Sequence, residues 1–293
     1  MKGVILAAGE GARMKRVTYG GFPKELLPIG RIPTIRFPIE AMKLAGIRDI
    51  IVVIAPQTKH GIIDGVQSGA KFGVNICYVV QEKDEKAMTG LGRAILSVKN
   101  WIGQNEDFVV ACGDSILCDF STRNPFNCIE SLVNTHILRK PLSTLVVHPN
   151  SSDPTRFGVV KFHQLVNGNG FFSGEIEALI EKPSVKLAKT YRSNGYNYII
   201  AGYYAFNSKI FSYIEKTPVG AKNEVQITDA IAVGLADGEK VWGVVHAKNN
   251  SSVLSPCEYW DVGIPEDYEE ASRRLLNLSK GELASLRSNG NIL

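Results

Sequence analysis

The sequence predicts an α/β protein: a three-layer body with a mainly parallel, Rossmann-like mixed sheet, extended by an α+β elaboration. Two observations carry this reading. Short runs of near-continuous Val and Ile alternate with helical stretches through the first half, and after about Pro141 the texture changes to longer β-like runs. Strands that are apolar on both faces belong to sheets covered on both sides, and in βαβ order such sheets are parallel.

Taken in order, Gly3 to Ala7, Ile50 to Ala55, Val74 to Val80 and Phe108 to Cys112 read as strands. Helical stretches lie between them at Thr34 to Ala45, closed by Gly46, then around Ile62 to Val66, and at Leu91 to Ile102. The second half offers Leu142 to His148, Phe157 to Phe162, Ile176 to Glu181 and Tyr198 to Phe206 as strands, with Val166 to Gly174 as a loop. An amphipathic helix from Glu266 to Asn277 follows, with Tyr268, Ala271, Leu275 and Leu278 at helical spacing. No proline-rich linker or repeat separates the halves. One body is therefore expected, divided by texture into residues 1–140, residues 141–265 and a helical tail at 266–293.

Composition narrows the function classes. The 33 Lys and Arg are interspersed with 29 Asp and Glu, for a net charge of +4 and no basic block, so nucleic acid is not the expected partner. The longest apolar run, Ile50 to Ala55, is far short of the roughly 20 residues of a membrane helix, and Gly9, Glu10 and Arg13 cut short any leader-like start, which leaves a cytoplasmic location as the expectation. Five scattered cysteines and five scattered histidines show neither a zinc spacing nor a Ser-His-Asp relay, and reduced, mostly buried thiols are expected. Carboxylates, cations and backbone must then carry the chemistry.

The most informative segment runs from Val4 to Arg13, V-I-L-A-A-G-E-G-A-R, and on to F-P-K-E-L-L-P-I at Phe22 to Ile29. A strand leading through Ala8 into Gly9-x-Gly11 presents unencumbered backbone N–H groups, and Arg13 and Lys24 add positive charge, a combination suited to a polyphosphate. It is not a Walker A loop, because no G-K-[ST] ends it, nor a dinucleotide fingerprint, because Met14 stands where the third glycine would be. Further on, Gly113-Asp114-Ser115 follows a β-rich run directly, which projects Asp114 from the strand's carboxyl end, where ligands of such sheets bind.

In these segments the chain resembles the sugar-1-phosphate nucleotidyltransferases, above all the glucose-1-phosphate thymidylyltransferases and the bacterial-type UTP–glucose-1-phosphate uridylyltransferases. The likeness recurs in order over about residues 2 to 272, through R-F-G-V-V at Arg156, E-K-P at Glu181, N-E-V-Q-I-T-D-A at Asn223 and Y-W-D-V-G at Tyr259. It implies that Ala8, Gly9, Gly11, Gln81 and Gly90 meet the nucleotide, with Gln81 at the base. It further implies that Gly158, Glu181 and Lys182 meet the sugar phosphate, that Arg13, Lys24, Asp114 and Lys182 act in catalysis, and that Asp114 and Asp261 hold magnesium. Ala12 and Arg16 depart from the family's usual Thr and Pro, and no proline stands between Glu82 and Thr89.

The activity implied is attack of a sugar 1-phosphate, glucose 1-phosphate above all, on the α-phosphorus of a pyrimidine nucleoside triphosphate, UTP before dTTP, with release of pyrophosphate. Homo-oligomers are usual in the resembled families. The competing expectation is a catalytically silent relative that binds nucleotide sugars and regulates a partner; the presence of Asp114, Asp261, Lys24 and Lys182 together speaks against it.

Overall fold

The computed structural model describes residues 1–56, 59–82, 89–120, 122, 124–150, 153–168, 171–220, 223–246, 257–279 and 281–283. The strands are β1 (Lys2–Ala7), β2 (Pro28–Ile29), β3 (Ile32–Pro33), β4 (Asp49–Ile54), β5 (Asn75–Val80), β6 (Asp107–Cys112), β7 (Ser115–Cys118), β8 (Ser143–Asn150), β9 (Gly158–Phe162), β10 (Val166–Asn167), β11 (Phe171–Glu181), β12 (Asn197–Asn207), β13 (Val241–His246) and β14 (Glu258–Asp261). The helices are α1 (Lys15–Thr18), α2 (Arg36–Leu44), α3 (His60–Val66), α4 (Leu91–Leu96), α5 (Glu130–Arg139), α6 (Val185–Ala188), α7 (Ile210–Lys216), α8 (Ile227–Ala236) and α9 (Pro265–Leu276). This is an α/β fold with mixed strand pairing. No helix among the described residues is long and apolar enough to cross a membrane.

The chain forms two compact units, and neither is a continuous half. One, here the β1 unit, collects residues 2–83, 111–130 and 257–293; the other, the β12 unit, collects residues 84–110 and 131–256 together with Met1. In the β1 unit, β4 lies between β1 and β5 and pairs in parallel with both, from Gly3↔Ile50 to Ala7↔Ile54 and from Asp49↔Asn75 to Ile54↔Val80. Val4, Ile5, Ile50, Val52 and Val53 are buried, as strands covered on both faces should be. A second apolar cluster draws on all three segments of this unit: Ile29, Ile32 and Phe37, then Ile116, Phe120 and Phe126, then Trp260, Val262, Ala271 and Leu275. The face of α9 foreseen from its spacing, Ala271, Leu275 and Leu278 with Tyr268 against them, packs into it.

In the β12 unit the pairing is mostly antiparallel: β12 with β8 and β9, and β11 with β9, β10 and β13, while β13 runs parallel to β8. There Phe108 stacks on Phe211, with ring centroids 5.3 Å apart, and meets Phe206 tilted at 5.8 Å.

Two elements differ from the sequence expectation. The stretch Val166 to Gly174, expected as a loop, contains β10 and the start of β11, paired Val166↔Ser173. Gly174 is there for close approach rather than for a turn, because a Cβ on it would collide with the Gln164 carbonyl oxygen. The helix from Leu91 stops at Leu96 instead of reaching Ile102, and a separate 3-10 turn spans Lys99–Trp101. Ser97 Oγ donates back to the Ala94 carbonyl at 2.5 Å, a local bond that competes with continuation of the helix. Of the five cysteines, all free, Cys118, Cys128 and Cys257 are buried, Cys112 is half-buried, and Cys77 is exposed.

Candidate functional site

The β1 unit gathers the glycine-rich loop, Lys24, Asp114, Asp261 and Arg13. β1 ends at Ala7, and Ala8, Gly9 and Gly11 lead over into a 3-10 turn at Ala12–Met14 that carries Arg13. Gly11 has φ +65°, a left-handed conformation that favours glycine. Beneath the loop runs Lys24: a Cβ built on Gly9 would stand 3.8 Å from its Nζ, and one on Gly11 3.6 Å from its Cδ. The loop therefore lies directly on the Lys24 side chain, at ordinary van der Waals distance.

Lys24 is presented by a 3-10 turn, Lys24–Leu26, whose N-cap is Pro23. Its ammonium donates to Asp114 Oδ2, a contact between residues 90 apart in sequence, and both side chains are largely buried. Burial alone would lower the pKa of the lysine, but the charges of Asp114, Glu25 and Asp261 outweigh it and hold the ammonium above its ordinary value. Burial would raise Asp114, yet Lys24 and Arg13 hold it below the usual carboxylate range. Asp114 is thus an anion with its cation in place.

Asp114 and Asp261 meet because β7 and β14 pair antiparallel with Asp261 opposite Ser115. Asp114 immediately precedes the first strand and Asp261 ends the second, and the Val262 amide donates to the Asp114 carbonyl at 3.0 Å. The position a Cβ would take on Gly263 lies 2.9 Å from Asp261 Oδ1, 3.3 Å from Asp114 Oδ2 and 3.3 Å from an Arg13 guanidinium nitrogen. One small volume therefore touches two carboxylates and a guanidinium, and a side chain at 263 would fill it. Burial, reinforced by the neighbouring Asp114 charge, pushes Asp261 up to about 6. A divalent cation at two adjacent buried carboxylates would relieve that repulsion, and magnesium commonly binds through one or two carboxylates with waters and substrate phosphates completing the shell. Among the described residues no group of three or more His, Cys, Asp or Glu is arranged to hold a metal.

Gln81 follows the end of β5, half-buried, with its amide donating to the Ile54 carbonyl at 2.8 Å. The next residues of that loop, 83–88, lie outside the described ones.

In the β12 unit, Glu181 ends β11 opposite Gly158 at the start of β9. Glu181 Oε2 accepts from Thr228 Oγ1 at 2.8 Å, and Lys182 Nζ lies 3.0 Å from Glu181 Oε1. Lys182 has φ +45°, a left-handed backbone in a non-glycine residue, with its amide donating to Phe157 O at 3.0 Å. Strain of this kind costs about 1 to 3 kcal/mol and clusters at functional positions. A Cβ on Gly158 would stand 2.8 Å from Ile200 Cδ1, 3.0 Å from Thr228 Oγ1 and 3.2 Å from Glu181 Oε2. Its bareness thus serves the Glu181–Thr228 contact. Burial and the Glu181 charge raise Asp229, which places a further carboxyl near this cluster.

Gly90 receives an equally steric explanation. It has φ +97°, and a Cβ there would stand 2.7 Å from the Val225 carbonyl oxygen. Thr89 and Gly92 amides donate to Asn223 O and Val225 O at 2.8 and 2.9 Å, so the residue lies against the Asn223–Val225 backbone.

Sequence reasoning left Glu25, Lys59, Thr228 and Asp229 without roles. Glu25 and Lys59 form an ion pair at 2.6 Å, 34 residues apart, with 1% and 4% of their side chains exposed. Burial pushes the Glu25 carboxyl up, against the pull of Lys24 and Lys59. A lysine without a motif gives no local signal of burial. Thr228 and Asp229 lie within the quoted N-E-V-Q-I-T-D-A run, and that run was the only available cue.

Residues 2–277 match the model of the nucleotidyl transferase family. The low-salt glycan biosynthesis nucleotidyltransferase Agl11 of Haloferax volcanii is 29% identical over 293 residues, covering 100% of this chain and 69% of its own. The UTP–glucose-1-phosphate uridylyltransferase 1 of Staphylococcus saprophyticus is 32% identical over 250 residues, covering 78% of this chain and 80% of its own. Among solved structures, a Bacillus anthracis protein assigned as a glucose-1-phosphate thymidylyltransferase superposes with a TM-score of 0.70 at 27% identity, over 97% of this chain and 99% of that one. With Lys24 held on Asp114 under a glycine-rich loop and a family match over nearly its whole length, this chain belongs to the nucleotidyl transferase family, among the sugar-1-phosphate nucleotidyltransferases.

Proposed function

We propose that the protein transfers a nucleotidyl group from a pyrimidine nucleoside triphosphate, UTP in preference to dTTP, to glucose 1-phosphate, releasing pyrophosphate. The observation that carries this reading is the Lys24–Asp114 contact beneath Gly9 and Gly11, with Asp261 and Arg13 at the same small volume. Backbone amides of the loop and the Lys24 ammonium would bind the triphosphate, with Lys24 exchanging Asp114 for phosphate oxygens. Arg13 would stabilise the departing pyrophosphate, and Gln81 would meet the base. Glu181 would accept from sugar hydroxyls, its orientation set by Thr228, and Lys182 would hold the sugar phosphate.

Asp114 and Asp261 would hold a magnesium ion, which when bound supplies charge neutralisation between the two anionic reactants. Two adjacent buried carboxylates, one of them driven up to about 6, support that assignment. Because such transfers ask mainly for positioning and electrostatic stabilisation, no covalent nucleophile is required of the protein. UTP is favoured by the Staphylococcus saprophyticus relative's name, whereas the Bacillus anthracis neighbour's name points to dTTP. The two bases differ by one methyl, worth about 1 to 3 kcal/mol in an apolar pocket, so both nucleotides should be used to some degree.

The test is pyrophosphate release over a grid of nucleoside triphosphates and sugar 1-phosphates with magnesium. Turnover confined to UTP and dTTP with glucose 1-phosphate is expected. Preference for ATP or GTP would overturn the nucleotide assignment, and no release with any pair would overturn the activity.

A further inference from the structure

We propose that Lys59 is a positioning residue for the triphosphate: through its ion pair with Glu25 it fixes the Lys24–Leu26 turn so that the Lys24 ammonium is presented beneath the glycine-rich loop. This rests on the assignment of Lys24 as a triphosphate ligand. Lys24 and Glu25 are consecutive yet tied to different partners, Lys24 to Asp114 and Glu25 to Lys59 at 2.6 Å. Lys59 is the N-cap of α3, and that helix is bare where it meets the turn. A Cβ on Gly61 would stand 3.6 Å from Pro23 and Leu26, and one on Gly65 3.2 Å from Leu26. The Ile35 amide donates to the Glu25 carbonyl at 2.7 Å, and a Cβ on Gly113 would stand 3.1 Å from Glu25 Cγ. Glu25 thus lies where α3, the Lys24 turn and the residue before Asp114 converge.

Stability alone does not explain charges at this point. A buried ion pair contributes no more than well-packed apolar residues of similar volume, because desolvation offsets the attraction. What an ion pair adds is direction: the 2.6 Å contact holds Glu25, and therefore the neighbouring Lys24, at one orientation. An apolar pair could pack the same space while letting the turn rotate.

The experiment compares wild type, Lys59→Met, Lys59→Arg and the double variant Glu25→Leu/Lys59→Met, by melting temperature and by steady-state kinetics with each substrate varied. Lys59→Met alone leaves Glu25 buried and unpaired and can fail to fold; the double variant removes both charges and keeps the packing. The double variant is expected to melt within a few degrees of wild type, with kcat/KM for the triphosphate lowered about 10- to 100-fold and the KM for sugar 1-phosphate unchanged. Lys59→Arg is expected to restore most of the loss relative to Lys59→Met. Should the double variant fail to fold, Lys59→Arg against Glu25→Gln/Lys59→Met, which keeps the shape at 25 and removes both charges, gives the same comparison. A folded, charge-free variant with wild-type kcat/KM for the triphosphate would overturn the inference and leave the activity standing. Equal losses toward both substrates would overturn it as well. If wild type itself releases no pyrophosphate, the reading beneath it falls, and the inference falls with it.

Discussion

Replacing Asp261 with asparagine should stabilise the ligand-free protein while abolishing turnover. The folded carboxyl titrates at about 6 against an ordinary 3.8, chiefly because it is buried and secondly because Asp114 is charged beside it. A shift of about two units corresponds to about 3 kcal/mol of disfavour for the ionised form. The sign follows from proton uptake. Between pH 4 and 6 the folded chain keeps a proton that the unfolded chain has released, so this group's contribution to stability falls as pH rises through that window and stays low above pH 6. Asparagine carries no charge at any pH and keeps an oxygen to accept from the Gly263 amide, now bonded at 3.1 Å. The variant should therefore melt about 2 to 5 °C above wild type at pH 7.5, with the gap closing toward pH 4. Asp114→Asn should shift the other way, because it strips the partner from a buried lysine. The assay is thermal unfolding of both variants without added metal from pH 4 to 8, alongside pyrophosphate release. An Asp261→Asn protein that melts at or below wild type at pH 7.5 would refute the argument that burial and the Asp114 charge together disfavour the ionised Asp261.

Other outcomes follow from the same geometry. Lys24→Ala should chiefly impair use of the triphosphate and Lys182→Ala use of the sugar 1-phosphate, each by about 10² to 10³ in kcat/KM; steady-state kinetics showing equal effects on both substrates would reverse the assignment. Chelation should abolish activity and magnesium restore it, with undiminished turnover in thorough chelator as the contrary result. Gly90→Ala should cost about 2 to 4 kcal/mol, since φ +97° is glycine territory and the new methyl would meet the Val225 carbonyl; a denaturant midpoint unchanged from wild type would contradict it. His136 is buried, with Nδ1 3.0 Å from Thr144 Oγ1, and burial lowers its pKa. The unfolded chain then takes up a proton near pH 6.5 that the folded chain refuses, so stability should decline below that pH, and less steeply in His136→Gln.

The glycine-rich end of the candidate site was legible as a cluster because its parts are local. A strand, two glycines and a lysine before a Leu-Leu-Pro string lie within about thirty residues of the first strand, and the chain folds them onto one another as their chemistry suggests. The carboxylate pair was not readable from pattern, since the β7–β14 register joins distant segments and no local signal specifies it; only the resemblance placed Asp261 beside Asp114. Lys59 was invisible for a different reason. Lysines are mostly solvent-exposed, and the burial of this one comes from folding against Glu25, 34 residues away in sequence. Gly90 and Gly158 were singled out as ligand contacts, and each turns out to have a steric reason to be glycine: the Val225 backbone for one, the Glu181–Thr228 contact for the other. The near-continuous apolar runs of β1 and β4 were legible because burial on both faces dictates their composition, whereas Phe171 to Gly174 was obscured by a glycine that serves close packing rather than turning.

The discontinuous make-up of the β1 unit has a consequence for biosynthesis. Its strands β1, β4 and β5 leave the ribosome early, but β7 must wait for β14, and Tyr268 Oη bonds the Pro28 carbonyl across 240 residues. Throughout that interval Ile116, Phe120 and Phe126 lack the Trp260 and Leu275 side chains that cover them in the finished fold. A nascent chain at this stage has a glycine-rich loop and Asp114 without Asp261, and an apolar surface open to aggregation or chaperone capture. Pulse-labelled chains should become protease-resistant in this unit only once the segment carrying β14 and α9 is free of the ribosome and able to pack.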